Sequence, residues 1–318
     1  MTTINQISPR RTWKEYLGIV ARGFCMGASD VVPGVSGGTM AFILGIYEEL
    51  IDSIKAIDLG VIRLVLSLKI PAALERVPWK FLLSVLAGIL LAVFSLARGI
   101  EWMLVNKPVL LWSFFFGLVL ASVWMVSKRI GRWSAGTGVV IAAATAGAYL
   151  LVGLVPAQTP NEYWFIFLSG AIVICAMILP GISGSFILVL LGKYQYILSA
   201  VNNRDVLTLG IFAVGAALGI ITFARILSWL FKHYHDQTIA MLTGLMLGSL
   251  RKVWPWKETV RTILDSHGKP IPVQQINVLP AAFNSEVVFA IGLALLGFAI
   301  VFTLENLAAR RQQEELPT

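Results

Sequence analysis

Eight predominantly apolar stretches of this sequence, each 14 to 30 residues long, contain no Asp, Glu, Lys or Arg. A helix needs about 20 apolar residues to cross the hydrocarbon core of a bilayer, so such stretches predict membrane spans. Charged residues make up only 13% of the chain, whereas soluble domains carry about 25%. The sequence therefore predicts an all-α polytopic membrane protein and argues against a soluble enzyme or a nucleic-acid-binding protein. The charge-free stretches are 31–47, 81–97, 108–127, 133–161, 163–192, 206–224, 237–250 and 287–304.

The cysteines and histidines do not suggest a metal site or a disulfide framework. Cys25 and Cys175 both lie in apolar stretches, where a free cysteine behaves as a small hydrophobic residue. His233, His235 and His267 have no partners at the spacing of metal ligands. We therefore expect no metal, no cofactor and no catalytic residue.

Two of the apolar regions are interrupted by helix-breaking residues. Residues 17–54 are broken at V-P-G-V-S-G-G, and residues 163–201 are broken at L-P-G-I-S-G-S. Proline and adjacent glycine end or kink a helix, and neither half is comfortably long enough to span alone. We predict two re-entrant hairpins, each made of two half-helices. The alternative in each case is a pair of full but kinked spans. Both interpretations return the chain to the side of the membrane from which it entered, so the predicted topology is the same.

The chain also repeats itself. Residues 33–54, shifted by 147 positions, match 180–201 at seven of 22 positions, and residues 88–124, shifted by 127, match 215–251 at nine of 37. Chance accounts poorly for a shared Pro-Gly-x-Ser-Gly, a shared Gly-x-Tyr and a paired arginine. Each repeat has a hairpin and three spans, and an odd number of spans inverts the second repeat. Inverted repeats are typical of secondary transporters, whose substrate sites lie where broken helices meet.

The predicted organisation follows from these features. A cytoplasmic N-terminus (1–16) and a cytoplasmic tail (307–318) flank two repeats. Repeat one (17–157) has a hairpin (17–54), a basic surface segment (55–80) and spans at about 81–104, 108–127 and 136–156. Repeat two (158–306) has a hairpin (163–201), spans at about 206–231, 237–250 and 286–305, and an extracytoplasmic loop (251–285).

The distribution of Lys and Arg predicts the orientation. Fifteen of the 25 lie on the side of the N-terminus and seven on the other side, so the positive-inside rule places both termini in the cytoplasm. The loop that begins with Arg251 and Lys252 is the weak point of this assignment. Lys193 is expected to face lipid headgroups.

The two Pro-Gly-x-Ser-Gly loops are the predicted binding site. A helix break of this composition presents backbone N–H groups, a hydroxyl and the positive end of the next helix, which together favour phosphate or carboxylate. A helix-breaking turn without a ligand is the alternative for either loop taken alone. We predict that phosphate-binding groups come from Ser36, Gly37, Gly38 and Thr39 in the first loop and from Ser183, Gly184 and Ser185 in the second, with Pro33, Gly34, Pro180 and Gly181 breaking the helices.

Charged residues near the loops extend this prediction. Arg98 and Arg225 occupy equivalent positions in the repeats, and Arg22 precedes the first hairpin, so all three are candidate phosphate ligands. Snorkelling to the interface is the alternative for the pair, and an ordinary cytoplasmic flank charge is the alternative for Arg22. Asp30 lies inside the first hairpin, and its counterpart is Met177. It is a candidate for charge pairing or for carrying H⁺ or Na⁺.

The motifs also resemble a known family. Residues 22–51, R-G-F-C-M-G-A-S-D-V-V-P-G-V-S-G-G-T-M-A-F-I-L-G-I-Y-E-E-L-I, and 177–194, M-I-L-P-G-I-S-G-S-F-I-L-V-L-L-G-K-Y, closely resemble the bacterial PopT-type polyprenyl-phosphate transporters. The resemblance implies a cytoplasmic-membrane protein that returns undecaprenyl phosphate from the outer to the inner leaflet for envelope glycan synthesis. It implies that this lipid and the surrounding membrane lipids are its partners. Glu48 matches the family's Y-E pattern and is, with Asp30, a candidate for ion coupling or charge pairing. An exposed helix end is the alternative for Glu48.

Two other functions remain open at this stage. Membrane undecaprenyl-diphosphate phosphatases share inverted repeats and a P-G-x-S-R-S motif, but the arginine after the serine is missing in both loops here. No obvious nucleophile or base lies on an adjacent helix. A transporter of small anions or ions would use the same loops for a carboxylate or a halide.

For transport of the lipid we expect one repeat to rock against the other, so that the binding site opens to each face of the membrane in turn.

Overall fold

The computed structural model describes residues 11–31, 36–264 and 270–314. These residues form fourteen helices and one pair of antiparallel strands. In chain order, the elements are α1 (Trp13–Asp30), α2 (Gly37–Ile43), α3 (Tyr47–Lys55), α4 (Leu59–Leu66), α5 (Ile70–Arg76), α6 (Trp79–Asn106), α7 (Pro108–Ser127), α8 (Ala135–Val152), α9 (Tyr163–Ile178), α10 (Gly184–Leu190), α11 (Tyr194–Asn202), α12 (Val206–His233), α13 (His235–Val253), β1 (Lys257–Leu264), β2 (Pro270–Asn277) and α14 (Ser285–Glu314).

Five of these helices are long and apolar enough to cross a membrane, namely α6, α7, α8, α12 and the first 19 residues of α14. The consecutive helices α10 and α11 form a sixth candidate, bent by 108° at their junction. The surfaces of the candidate spans carry many exposed large apolar side chains, as expected where lipid replaces water. The prediction of an all-α polytopic membrane protein is confirmed at this level.

Each interrupted region contains three helices instead of the two half-helices that we predicted. A long helix, α1 or α9, leads to the break, and a short helix of seven residues, α2 or α10, follows it. A second turn then starts α3 or α11. This extra turn is made by Gly45 and Gly192, whose φ angles are +72° and +62°, a backbone region that favours glycine.

Other elements also differ from the predicted bounds. The basic segment 55–80 holds two short helices, α4 and α5, as well as the start of α6. Helix α8 ends at Val152, and α14 continues to Glu314, so that the tail predicted to begin at 307 is largely helical. The loop 251–285 contains the β1–β2 hairpin, in which Lys257 pairs with Asn277.

Six helices of the first half, α1–α3 and α6–α8, have counterparts in the same order in the second half, α9–α14, whereas α4, α5 and the β1–β2 hairpin have none among the described elements. Helices α6 and α12 both have 28 residues. Each is followed by a single non-helical residue of nearly the same backbone conformation, with φ −141° and ψ 50° at Lys107 and φ −137° and ψ 50° at Tyr234. Helix α1 packs on α6 as α9 packs on α12, and α14 packs on α7 as α13 packs on α8. The last two helices of each half therefore pack against those of the other half.

Close backbone contact at a glycine joins the first pair of long helices in each half. A Cβ atom on Gly88 of α6 would lie 2.1 Å from the carbonyl oxygen of Val20 in α1. The equivalent Gly215 of α12 would place one 2.0 Å from the carbonyl oxygen of Phe167 in α9. Small residues of this kind let membrane helices approach closely enough for dispersion contacts to hold them together.

We expect Gly88→Ala to destabilise the protein by about 1–3 kcal/mol, because the methyl group has no room unless α1 and α6 move apart. Gly215→Ala should have a similar effect on α9 and α12. Gly99→Ala is the matched control, since nothing lies within 4 Å of its Cβ position in the same helix α6. Thermal unfolding of the purified protein in detergent measures the difference. Equal unfolding temperatures for Gly88→Ala and Gly99→Ala would contradict this packing.

Candidate functional site

The two helix-break loops meet at the buried centre of the protein. Ser36 caps α2 by accepting a hydrogen bond of 3.1 Å from the N–H of Gly38. Its hydroxyl donates to the second loop, where the carbonyl oxygens of Met177 and Leu179 lie 3.3 and 3.2 Å away. Ser36 is only 1% exposed. The predicted proximity of the two loops is therefore present in the structure.

Two further hydrogen bonds join the loops. The N–H of Gly181 donates to the hydroxyl of Thr39 at 2.9 Å, and the hydroxyl of Tyr47 donates to the carbonyl oxygen of Ile178 at 3.1 Å. Thr39 and Tyr47 are 1% and 2% exposed. We call this set of contacts between residues 36–47 and 177–181 the loop junction. Its polar groups are bonded to one another, so the junction is closed in this conformation.

The first loop already holds an acidic side chain. The carboxylate of Asp30 accepts a hydrogen bond of 2.7 Å from the N–H of Gly37, the first residue of α2. This is the position at which the sequence predicted a substrate phosphate. The repeat counterpart Met177 packs against Gly184 without a charge. The two loops therefore share a Pro-Gly-x-Ser-Gly sequence but differ in the acidic side chain beside it.

The second loop is less fully bonded. The hydroxyls of Ser183 and Ser185 lie 2.8 Å apart and pair with each other, and Ser183 does not cap α10 through its side chain. Ser185 is exposed, whereas Ser183 is buried. Of the predicted helix-breaking residues, Pro180 is buried beside the junction, while Pro33 and Gly34 lie outside the described residues.

The structure does not bring the three candidate arginines to the loops. Arg22, Arg98 and Arg225 are all exposed, and none forms an ion pair with a described residue. Arg98 and Arg225 each lie eight residues before the end of a 28-residue helix, which is about 12 Å along the axis. An outward-facing arginine at this depth can extend to the headgroups. This geometry favours the snorkelling alternative for the pair.

Glu48 also points away from the junction. It is exposed, and its carboxylate lies 4.0 Å from Nε2 of His235 at the start of α13. The preceding Tyr47 is the member of the Y-E pair that contacts the second loop. Glu48 borders a cleft between α3 and α12, which we call the α3–α12 cleft and which is lined by Glu48, Ile51, Asp52, Lys55, Ser228, Phe231 and Lys232.

Lys193 was expected to face headgroups, and this expectation is wrong. The residue is 1% exposed, and its ammonium donates to the carbonyl oxygen of Thr159 at 2.8 Å and to Oδ1 of Asn161 at 2.6 Å. The rings of Phe165 and Tyr196 lie 5.5 and 5.7 Å away. Lys193 therefore ties the segment between α8 and α9 to the turn between α10 and α11.

Sequence reasoning missed a second polar cleft at the end of α13. It encloses about 400 Å³, including its open mouth, and its lining includes Arg251, Lys252 and Lys257. We call it the basic cleft. The signal available in the sequence was the excess of positive charge in a loop that the positive-inside rule places outside.

These features define a class of protein, namely a polytopic helical membrane protein with two broken-helix loops joined at its centre. The comparisons with known proteins specify the family. Residues 26–271 match the undecaprenyl phosphate translocase-like family, and the chain belongs to that family.

Two curated relatives agree with this assignment. The chain is 42% identical over 302 residues to a polyprenyl-phosphate transporter of Vibrio cholerae, covering 93% of this chain and 98% of the relative. It is 30% identical over 257 residues to a polyprenyl-phosphate transporter of Staphylococcus aureus, covering 74% and 85% of the two chains. No solved structure matches the chain.

Thr39→Val should lower the free energy of unfolding by about 1–3 kcal/mol, because it leaves the N–H of Gly181 buried without an acceptor. Thr39→Ser keeps the hydroxyl and should retain most of the stability. Thermal unfolding in detergent measures both variants. If the valine variant were as stable as the serine variant, the Thr39–Gly181 hydrogen bond would not hold the loops together.

Proposed function

We propose that this protein is a transporter, not an enzyme, and that it moves undecaprenyl phosphate or a similar polyprenyl phosphate from the outer to the inner leaflet of the bacterial cytoplasmic membrane. Its role would be to recycle this lipid carrier for peptidoglycan and other envelope glycans. The observation that carries the proposal is the loop junction, where two helix breaks bring backbone N–H groups and hydroxyls together inside an apolar helical protein. The names of the two relatives support the choice of lipid.

The architecture that we propose is a pair of inverted repeats with both termini in the cytoplasm. Its support is the matching of helix lengths, backbone turns and packing pairs between the halves, together with the odd number of spans expected in each. Lys and Arg are concentrated at the end of the protein where α3 meets α12, which supports a cytoplasmic position for that end. The basic cleft then faces the cell exterior.

The proposed mechanism begins with the closed junction. Rocking of one repeat against the other breaks the hydrogen bonds of Ser36 and Thr39 to the second loop. It thereby exposes hydroxyls and N–H groups to one face at a time. The phosphate replaces these internal partners, and the prenyl tail remains in the surrounding lipid. Backbone N–H groups suit this task because they offer hydrogen bonds to phosphate without burying a permanent counter-charge.

Asp30 gives this mechanism a competing anion. Its carboxylate and a phosphate cannot both accept the N–H of Gly37, and two adjacent anions repel each other. Binding of the phosphate therefore requires that Asp30 moves away or binds a cation. We propose that a proton or Na⁺ neutralises Asp30 when the substrate enters, which couples transport to the gradient of that ion.

The transport proposal can be tested in proteoliposomes of phosphatidylcholine that contain radiolabelled undecaprenyl phosphate. A phosphatase added outside hydrolyses only the outer-leaflet lipid unless the protein moves the remainder outward. We expect the wild type to make nearly all the lipid accessible and Ser36→Ala/Ser183→Ala to slow this markedly. Ser95→Ala, in the middle of α6, is the matched control for loss of a serine. Unchanged accessibility with the wild-type protein would overturn the proposal.

The same proteoliposomes distinguish lipid transport from the two alternative functions, phosphatase activity and small-anion transport. Release of phosphate from undecaprenyl diphosphate without added phosphatase would establish the enzyme. Uptake of a small anion without movement of the lipid would favour the small-anion transporter.

Ion coupling has its own prediction. An imposed proton or Na⁺ gradient should accelerate movement of undecaprenyl phosphate in the wild type, and Asp30→Asn should remove this acceleration because the amide cannot bind either ion. Initial rates with and without each gradient provide the measurement. An Asp30→Asn variant that responds to the gradients as the wild type does would place the coupling elsewhere.

A further inference from the structure

The basic cleft is built by four different parts of the chain, one of which is α10 with Phe186. The C-terminal end of α13 contributes Arg251 and Lys252, the hairpin contributes Lys257 and Gln274, and the end of α8 contributes Gly153. A Cβ atom on Gly153 would lie 2.4 Å from the guanidinium of Arg251, so a larger residue would displace this side chain. The cleft is therefore a defined feature of the fold and not a gap between loose loops.

The side chains of the three cations are held in place. Arg251 donates to the carbonyl oxygen of Tyr149 at 2.8 Å, and its guanidinium carbon lies 4.3 Å from the centre of the Tyr149 ring. Lys252 lies 4.7 Å from the ring of Phe186. Lys257 donates to the carbonyl oxygen of Lys252 at 2.5 Å. Aromatic and carbonyl contacts orient cations but leave their net charge intact.

This positive charge has no acidic partner in the described part of the chain, where no carboxylate lies within 4.0 Å of the three cations. Lys257 is half-buried and also lies 3.7 Å from the ring of Trp112. Burial, with the neighbouring charge of Lys252, holds the pKa of Lys257 well below its usual range. Positive charges in this partly dry cleft repel one another, and an anion relieves that repulsion and favours the protonated form of Lys257.

The basic cleft lies beside the second loop. Phe186, which contacts Lys252, directly follows the exposed Ser185 in the sequence. On α13, the hydroxyl of Ser249 lies 2.8 Å from the Cβ position of Gly181, and Lys252 follows three residues later. Three residues advance a helix by about 4.5 Å. The backbone of Lys252 is therefore less than one helical turn beyond Ser249, the residue of α13 that lies against Gly181 of the loop junction.

We propose that the basic cleft binds the phosphate monoester headgroup of the transported lipid at the extracytoplasmic face, before the headgroup reaches the second loop. This inference rests on the transport function proposed above. A phosphate monoester carries about 1.5 to 2 negative charges and three acceptor oxygens, which match a cluster of one arginine and two lysines. A phosphodiester carries one charge and has fewer free oxygens, so the cleft favours the monoester over ordinary anionic lipids.

The test uses the purified full-length protein in nanodiscs of phosphatidylcholine, with geranylgeranyl phosphate as the probe. We expect Lys252→Gln and Lys257→Gln each to raise the Kd about tenfold, since each removes a charge-assisted hydrogen bond. Lys257→Arg retains the charge and should bind nearly as the wild type does. Lys107→Gln is the matched control, because Lys107 is an exposed lysine at the junction of α6 and α7 and does not border the cleft. Thermal unfolding of each variant reports whether it is folded.

Competing ligands identify the source of the phosphate. Displacement of the probe by excess inorganic phosphate, but not by phosphatidylglycerol, supports a monoester site. Displacement by phosphatidylglycerol at the same concentration would overturn the proposal in favour of an anionic-lipid surface. Equal Kd values for inorganic phosphate and geranylgeranyl phosphate would overturn the lipid assignment in favour of free phosphate.

The phosphatase-accessibility assay separates this inference from the function on which it rests. If the wild type moves undecaprenyl phosphate but folded Lys252→Gln and Lys257→Gln bind the probe as tightly as the wild type, the basic cleft is not the binding site and the transport function stands. If the wild type neither moves the lipid nor binds the probe, both proposals fall.

Discussion

Hydrogen bonds between two interrupted helices hold the centre of this protein together. A helix break inside an apolar protein leaves N–H and C=O groups without intrahelical partners, and water is not available there to replace them. Ser36, Thr39 and Tyr47 supply those partners to the second loop, at the carbonyl oxygens of 177–179 and the N–H of Gly181. Each loop therefore depends on the other, and neither could keep its conformation if the two halves separated without a ligand to take their place.

The closed junction lies between two clefts. The α3–α12 cleft begins near His235, at the start of α13, and the basic cleft begins near Lys252, at its end. These positions are about 25 Å apart along the helix axis. On the first side, the ring of Phe231 lies 6.1 Å from that of Tyr47, which bonds to the second loop. Both clefts are therefore bordered by helices that contact the junction, α12 on the first side and α13 on the second.

Much of this arrangement could be predicted from the sequence, and the exceptions have physical causes. The repeated Pro-Gly-x-Ser-Gly motif located both loops, because helix breaks depend on local residue types. The exposure of Arg98 and Arg225 could not be predicted, because an equivalent position in a repeat says nothing about which way a side chain faces. The buried face of α6 was nevertheless encoded, since Phe81, Val85, Gly88 and Ala92 recur at helical spacing. Arg98 is about 240° around the helix from Ala92 and so lies off that face.

The β1–β2 hairpin and the pairing within the first loop were harder to predict. A loop of 35 residues is long for a compact protein, which was a sign that 251–285 had structure of its own. Its alternation is weak, however, and among the described side chains Val260 and Ile276 are exposed apolar residues. The hydrogen bond between Asp30 and Gly37 depends on how α1 and α2 are placed relative to each other. The spacing of residues in the sequence does not determine that placement.

The difference between Asp30 and Met177 has a consequence for energetics across the membrane. In the proposed cycle the loops are related by symmetry, but only one of them carries a charge. The empty carrier and the loaded carrier then differ in the charge that they move through the electric field. A membrane potential acts on each elementary charge that crosses it with about 2.3 kcal/mol per 100 mV. A single carboxylate without a counterpart would thus make the two directions of rocking unequal, so that voltage helps to set the resting conformation.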